Sequence, residues 1–348
     1  MREISFRQPD DWHVHFRDGA VLRQVAPYTA RAFGRAVVMP NLTPPVTTAA
    51  AAVAYRERIL RTLPQDVEFT PLMTCYLTDF TNGRDLIGAH SDGVFFAAKL
   101  YPAHATTNSD LGVTSIAKIY DVIGAMAEHG VPLLVHGEIT RSDIDVFDRE
   151  KGFIDEVLVP VLERFPKLRC VLEHVTTEEG VQVVRAYPGR LGATLTPQHL
   201  LYSRNALFQG GLRPHLYCLP VLKRERHRLA LLAAATSGPG PFFLGTDSAP
   251  HLRRLKENAC GCAGVFSAPV AVEAYLQAFA QENALDRFEA FASLNGPAFH
   301  GLPPNGKTVA YARRATPVAE CSPVEEQDGE IVSLFGGQTV DWAPIKGA

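Results

Sequence analysis

The feature that most constrains the fold of this chain is a repeated alternation of short apolar runs with longer amphipathic segments. Such alternation is typical of βα units, in which crossover helices join parallel strands. We expect about eight strands, over 13–16, 36–39, 69–76, 94–100, 132–136, 170–174, 191–195 and 241–246. Helices are expected over 49–63, 115–129, 145–165 and 178–187, with two more near 269–281 and 286–294. This pattern predicts an α/β fold, a (β/α)8 barrel of the TIM type.

Composition places the chain among globular proteins with a large core. Of its 348 residues, 46% are hydrophobic and 20% are charged, and the formal net charge is −3. No long run of lysine or arginine is present, so nucleic acid is not an expected partner. No segment approaches the length of an apolar membrane span, and residues 1–10 lack the apolar core of a signal peptide. We therefore expect no membrane association and a cytoplasmic location.

The six cysteines are widely spaced, which in a cytosolic chain is typical of free thiols. Cys260 and Cys262 form the one close pair. A structural zinc would need two more soft ligands nearby, so a glycine-rich loop is the better interpretation of this pair.

Five of the expected strands end in residues that can bind a metal ion. His13 and His15 end the first strand, and the others are Lys99, His136, His174 and Asp247. Each alone has an ordinary explanation, such as a hydrogen-bonded core histidine, a snorkelling lysine or a helix N-cap. In a barrel, however, the C-terminal ends of all strands meet at one face, so these side chains are expected to converge.

Nitrogen and oxygen ligands without thiolate suit zinc or a similar divalent ion. Four histidines and one aspartate are too many for one catalytic ion and too few for two. Lys99 can supply the missing ligand, because a neutral amine reacts with carbon dioxide to give a carbamate with two metal-binding oxygens. Two divalent ions held in this way keep a positive charge, which attracts an anionic substrate.

Several motifs between about residues 9 and 303 resemble those of the dihydroorotases of the amidohydrolase superfamily, of the shorter single-domain bacterial type. These motifs lie at 11–18, 39–42, 98–102, 134–138, 213–215 and 245–251. The resemblance implies two Zn²⁺ ions per subunit. His13, His15 and Asp247 would hold one ion, His136 and His174 the other, and an N6-carboxylated Lys99 would bridge them.

The same resemblance implies an activity. Members interconvert N-carbamoyl-L-aspartate and L-dihydroorotate reversibly in de novo pyrimidine biosynthesis, with zinc. Asp247 would be the catalytic residue, taking the proton of the attacking water and passing it to the departing ring nitrogen. The family also implies a homodimer and one barrel domain over 1–348, with a C-terminal extension from about 313 that matches less well.

Substrate-binding residues are implied as well. Arg17, Asn41 and His251 match the set that binds the unreactive carboxylate of the substrate, and a planar guanidinium suits a carboxylate. The backbone at Leu219 and Ala263 matches positions that contact the ring. Thr106 and Thr107 lie in a segment, 105–109, that resembles a mobile lid, and His104 stands where the family pattern has an asparagine.

Two alternatives remain open. A hydantoinase-like cyclic amidase would share the metal ligands but would lack the set formed by Arg17, Asn41 and His251. A non-catalytic partner subunit would have lost ligands, whereas here all of them are identified. Asp11 and Asp18 have no assigned role, and either is a candidate to hydrogen-bond a ligating histidine.

Overall fold

In the computed structural model, which describes residues 3–345, eight parallel strands form one sheet whose order follows the sequence. A separate strand, β1 (Glu3–Arg7), precedes them. The eight strands are β2 (Asp11–Val14), β3 (Arg35–Val38), β4 (Thr70–Tyr76), β5 (Ala97–Leu100), β6 (Leu133–Val135), β7 (Cys170–Leu172), β8 (Leu191–Leu195) and β9 (Phe242–Leu244). Each overlaps a predicted strand.

The first and last of these strands meet, which closes the sheet into a barrel. The Asp247 amide donates to the His13 carbonyl at 2.8 Å, and the His15 amide donates to the Ser248 carbonyl at 3.0 Å. The (β/α)8 prediction is therefore confirmed. The first strand is offset from its prediction, because β2 ends at Val14 and His15 lies just beyond it.

The helices of the described chain follow the strands on the outside of the barrel. They are α1 (Gly19–Ala32), α2 (Ala49–Arg61), α3 (Gly83–Ser91), α4 (Tyr120–His129), α5 (Arg149–Phe153), α6 (Val159–Arg164), α7 (Glu178–Ala186), α8 (Pro197–Leu201), α9 (Glu225–Ala235), α10 (Arg253–Lys256), α11 (Ala271–Gln281) and α12 (Asn295–His300). The expected helix over 145–165 begins later, at Arg149, and contains a π-helical turn, Ile154–Leu158. Six helices lie outside the predicted ranges: α1, α3, α8, α9, α10 and α12.

The chain returns to its N-terminus after the barrel. β1 pairs antiparallel with β10 (Thr308–Pro317), which pairs with β13 (Thr339–Pro344), while β11 (Cys321–Val324) and β12 (Gly329–Val332) form a hairpin. These strands pack against the outer helices. The predicted extension from about 313 thus begins inside a strand that starts at Thr308.

Two layers of apolar side chains hold the barrel together. One fills its interior and includes Trp12, Met39, Leu134 and Phe243, and the other lies between the strands and the helices. Trp12 stacks on His300, with ring centroids 4.5 Å apart. The metal-type residues lie at the opposite end of the strands, as expected for this fold.

The prediction that the cysteines are free thiols is confirmed. All six cysteines are free, and the amides of Cys260 and Gly261 both donate to Asn258 Oδ1, which forms a local turn. No helix between residues 3 and 345 has the length and apolarity needed to cross a membrane.

Candidate metal centre and active site

Three ligand-type atoms converge where the barrel closes. Nε2 of His13 lies 3.3 Å from Nε2 of His15, and Oδ1 of Asp247 lies 3.4 and 3.2 Å from these two nitrogens. All three side chains are buried. Two imidazole nitrogens and a carboxylate oxygen aimed at one point fit a divalent cation.

A hydrogen bond to Glu173 fixes the orientation of the His13 ring. Glu173 Oε2 accepts a hydrogen bond from His13 Nδ1 at 2.8 Å and another from Thr194 Oγ1 at 2.6 Å. Burial opposes ionisation of Glu173, but the electrostatic interactions with His13 and Lys99 and these hydrogen bonds lower its pKa overall. A proton on Nδ1 of His13 leaves a lone pair on Nε2, the atom that faces His15 and Asp247.

A second pair of imidazoles has the same arrangement. Nδ1 of His136 lies 3.2 Å from Nε2 of His174, and Nε2 of His136 contacts Glu138 Oε2 at 2.8 Å. The buried Glu138 therefore leaves the lone pair of His136 on Nδ1, directed at His174. His13 and His174 have ring centroids 5.1 Å apart, so the two groups are neighbours.

The protonation of these groups suits cation binding. Burial lowers the pKa of His13 and lowers those of His15 and His174 well below the usual histidine value. These three imidazoles are therefore neutral near pH 7 and keep the lone pairs that a metal ion requires.

Lys99 is buried on β5 near these groups, since its charge contributes to the lowered pKa of His13, His15 and His174. Its Nζ has no hydrogen-bond partner in the described part of the chain. Burial lowers the pKa of Lys99 to about 8, so a neutral amine is accessible near physiological pH. An unpartnered buried ammonium is costly, and both properties fit a lysine that becomes carboxylated.

Backbone strain is concentrated at the same face. Arg17, His174 and Asp247 have φ angles of 59°, 40° and 45°, in the left-handed region. Each follows the C-terminal end of a barrel strand. Such conformations cost about 1–3 kcal/mol each, and they persist where the surrounding structure holds a functional side chain in place.

Arg17 and His251 form a polar wall beside the histidines. Arg17 Nη2 lies 2.9 Å from His251 Nε2, which is also 3.0 Å from the Ala263 carbonyl. In one tautomer this nitrogen accepts from the guanidinium, and in the other it donates to the carbonyl. Arg17 Nη1 is buried without a hydrogen-bond partner in the range 3–345, so it is available to an anionic ligand.

The segment predicted as a lid lies over this wall. Asn41 Nδ2 donates to the Thr107 carbonyl at 2.9 Å, and Thr107 Oγ1 is 3.4 Å from the Ala263 carbonyl. His104 has a φ of 63°, a conformation that asparagine adopts readily, and its ring contacts Asp110 rather than the site. The cavity beneath the loop measures about 20 Å³, roughly the space of one water molecule.

The structure brings nearly all the predicted site residues around this one cavity. Its lining includes His13, His15, Arg17, Asn41, Thr106, Thr107, His136, His174, Leu219, Asp247 and Ala263. His251 contacts the lining through Arg17 and Ala263. These side chains therefore converge at one site, as expected for residues at the C-terminal ends of barrel strands.

The sequence reasoning missed Glu138 and Glu173, which orient histidine rings. Each stands beside a predicted ligand, two residues after His136 and directly before His174, and this proximity was the available signal. Neither Asp11 nor Asp18 contacts a histidine ring. Asp11 accepts from the amides of His13 and Thr246 at 3.2 and 2.8 Å, whereas Asp18 accepts from the Gly19 amide at 2.9 Å at the start of α1.

Comparison with known proteins decides the family. Residues 11–310 match the model described as "Amidohydrolase family". The chain is 57% identical to a protein named dihydroorotase from Erythrobacter litoralis, over 97% of this chain and 98% of that protein. This chain belongs to the dihydroorotases of the amidohydrolase family. It is an enzyme, a cyclic amidohydrolase.

Solved structures agree with this membership. A dihydroorotase from Saccharomyces cerevisiae, in complex with 5-fluoroorotic acid, superposes with a TM-score of 0.91 at 29% identity, covering 99% of both chains. An L-hydantoinase from Arthrobacter aurescens superposes with a TM-score of 0.81, covering 99% of this chain and 83% of that one. Because the latter is only 16% identical, it shares the fold alone with this dihydroorotase-family chain.

Proposed function

We propose that this enzyme interconverts N-carbamoyl-L-aspartate and L-dihydroorotate in pyrimidine biosynthesis, with two zinc ions per subunit. The observation that carries the proposal is the placement of Arg17, whose guanidinium contacts His251, on the same cavity as the cluster of His13, His15 and Asp247. A cation-binding cluster beside a free guanidinium edge suits a cyclic amide that also carries a carboxylate.

The proposed ligand sets follow the two groups of rings. His13, His15 and Asp247 would hold one ion, and His136 and His174 the other, with carboxylated Lys99 between them. Bound divalent ions would lower the pKa of a water molecule and polarise the amide carbonyl. The unpartnered Nζ of Lys99 and the lone pairs set by Glu138 and Glu173 support this assignment.

Asp247 is the proposed proton carrier. Its Oδ1 faces His13 and His15, so Oδ2 is left to hold a proton. During hydrolysis Asp247 would accept a proton from the attacking water and give it to the departing ring nitrogen, and ring closure would reverse these transfers. Burial raises the pKa of this carboxyl group, which makes the protonated form easier to reach.

Recognition of the substrate would use the unreactive carboxylate. Nη1 of Arg17 and the side chains of Asn41 and His251 would donate to it, while the backbone at Leu219 and Ala263 would contact the ring. Since the cavity of about 20 Å³ is too small for a six-membered ring, we propose that the lid carrying Thr106 and Thr107 opens to admit substrate.

The two alternative functions, a hydantoinase and a non-catalytic partner subunit, predict different features at this site. A hydantoinase acting on a neutral ring would have no carboxylate to place against Arg17. A non-catalytic partner would have lost ligand residues, whereas all six candidates are present and buried at the barrel face. The dihydroorotase reaction is therefore the function that the site supports best.

A direct assay tests the proposal. The loss of dihydroorotate is followed spectrophotometrically with and without a chelator, alongside a neutral hydantoin. We expect turnover of dihydroorotate that the chelator abolishes, and little turnover of hydantoin. Preferential hydrolysis of hydantoin would favour the other amidase, and chelator-resistant turnover would contradict the metal assignment.

We also propose that residues 1–348 form one domain, with an extension from about 313, and that the protein is a cytoplasmic homodimer. The free cysteines support a reducing location. Family resemblance is the basis for the dimer, and light scattering of the purified protein tests it.

A further inference from the structure

Lys256 occupies an unusual position next to the two cavity-lining segments that contain Leu219 and Ala263. It ends helix α10 and is only 4% exposed. Its Nζ donates to three backbone carbonyls, those of Tyr217 at 3.0 Å, Cys262 at 2.9 Å and Gly264 at 2.5 Å. An ammonium group has three N–H donors, and here each has its own carbonyl acceptor.

The three carbonyls belong to the two segments that line the cavity. Cys262 and Gly264 flank Ala263, and Tyr217 lies two residues before Leu219. The Gly264 amide also donates to the Tyr217 carbonyl at 2.9 Å, so the two segments are joined directly as well as through Lys256. Carbonyls in irregular loops have no sheet or helix partner, and a buried one needs another donor.

The segment that contains Ala263 is also constrained at Gly264, by the close approach of Ala249. Gly264 has a φ of +153°, and a Cβ there would lie 2.5 Å from the Ala249 carbonyl oxygen. The backbone therefore packs closely against Ala249, and only glycine fits at this position. Lys256 holds the carbonyl group of the same residue.

The charge of Lys256 is retained in this position. It forms no ion pair within residues 3–345. Burial is the main reason that its pKa falls to about 8, with the nearby Arg17 charge acting in the same direction, so the ammonium form predominates at pH 7. An anionic substrate bound at Arg17 would therefore also experience this second positive charge.

We propose that Lys256 is a positioning residue for substrate recognition, holding the backbone at Leu219 and Ala263 in the geometry that receives the ring of an anionic cyclic amide. This inference rests on the proposed function, because it assumes that these two segments contact the substrate. Lys256 itself does not touch the reacting atoms.

The test compares Lys256→Met with the wild-type enzyme in steady-state kinetics of dihydroorotate hydrolysis. Methionine keeps the length of the side chain but removes all three donors. We expect KM to rise by about tenfold or more with kcat changed by less than about threefold, because the lost interaction acts on binding of ground and transition states alike. The Kd for 5-fluoroorotate, measured by calorimetry, should rise in parallel.

Two further variants separate positioning from stability. Lys256→Arg retains a cation with several donors, so KM should return at least partly towards the wild-type value. Lys223→Met is the matched control, because Lys223 is also 4% exposed but its Nζ donates only to the Val221 carbonyl, at 3.0 Å. It should lower stability without a comparable change in KM. If Lys256→Met does not fold, Lys256→Gln, which keeps two donors, is measured in its place.

The outcomes are distinguishable. A lower kcat with unchanged KM and Kd means that Lys256 only stabilises the fold and overturns the inference, as does an equal rise in KM for Lys223→Met. If wild-type enzyme loaded with zinc neither consumes dihydroorotate nor forms it from carbamoyl aspartate, the proposed function fails and the inference falls with it.

Discussion

Glu173 precedes one candidate metal ligand in sequence, His174, and hydrogen-bonds another in space, His13. Its Oε2 contacts Nδ1 of His13 at 2.8 Å, and both side chains are almost completely buried. One carboxylate therefore links the two candidate metal positions, because it orients a ring of the first and is covalently adjacent to a ring of the second.

Replacing this carboxylate should weaken metal binding. Glu173→Gln keeps the shape but can no longer accept from His13 as a charged group, and we expect metal affinity about 10–100-fold lower, as for other carboxylates behind ligating histidines. Competition with a chromophoric chelator measures this. Glu273→Gln is the control, because Glu273 is partly buried in α11 and has a pKa raised to about 7 by burial, but does not contact a candidate ligand. Equal affinities for the two variants would contradict the role of Glu173.

Removing the guanidinium should affect substrate binding rather than the metal centre. Arg17→Met should raise KM for dihydroorotate by about 10–150-fold, since a hydrogen bond to a charged group contributes roughly 1.5–3 kcal/mol. Bound metal should be unchanged. Arg35→Met is a matched control, because Arg35 is paired with Asp10 at 2.6 Å and is not in the cavity lining. Unchanged KM in Arg17→Met would favour the hydantoinase alternative.

The lid hydroxyls should contribute to turnover. Replacing both Thr106 and Thr107 by valine keeps their volume and removes their hydroxyl groups, and we expect kcat/KM to fall by about tenfold or more. Metal content should not change. Thr316→Val, on β10, removes a hydroxyl that bonds only to the Arg314 carbonyl, at 3.0 Å, and should leave kinetics intact. Equal kinetics for both variants would exclude a role of these threonines.

His300 lies at the end of the barrel opposite to the candidate metal centre and should make the free energy of unfolding depend on pH. Burial lowers its pKa to about 3, whereas the unfolded chain titrates near 6.5. The unfolded state therefore binds the proton first, so this contribution to the free energy of unfolding is complete above pH 6.5 and is lost as pH falls towards 3. Per proton the slope is about 1.4 kcal/mol per pH unit.

The variant His300→Phe isolates this effect while keeping the ring that stacks on Trp12. Urea unfolding of both proteins between pH 7 and 4 should show that the variant loses less stability on acidification. The same slope in both proteins would show that His300 does not titrate differently in the folded state.

The sequence predicts the barrel and most of the site because both depend on periodic features. Apolar runs identify the strands, and the residues that end those runs must meet at one face, which is why His136, His174 and Asp247 could be placed together. The resemblance then assigns roles to Arg17 and His251. Glu173 could not be given its partner, because the contact with His13 joins residues 160 positions apart.

Irregular segments explain the other omissions. Lys256 ends the four-residue helix α10, which is too short to show a helical periodicity, and its three partners are backbone carbonyls, which carry no sequence signal. β1 pairs with β10 across nearly the whole chain, so neither strand shows its partner locally. These contacts form only when the barrel is folded, so the local sequence does not reveal them.

The central claim is a dinuclear centre that includes Lys99, and metal content measured together with activity tests it most directly. Wild-type protein and Lys99→Ala are loaded with zinc, desalted, and assayed by elemental analysis and by loss of dihydroorotate. We expect about two equivalents and activity in the wild type, and fewer equivalents without activity in Lys99→Ala. Less than one equivalent in the wild type, with full activity in Lys99→Ala, would contradict it.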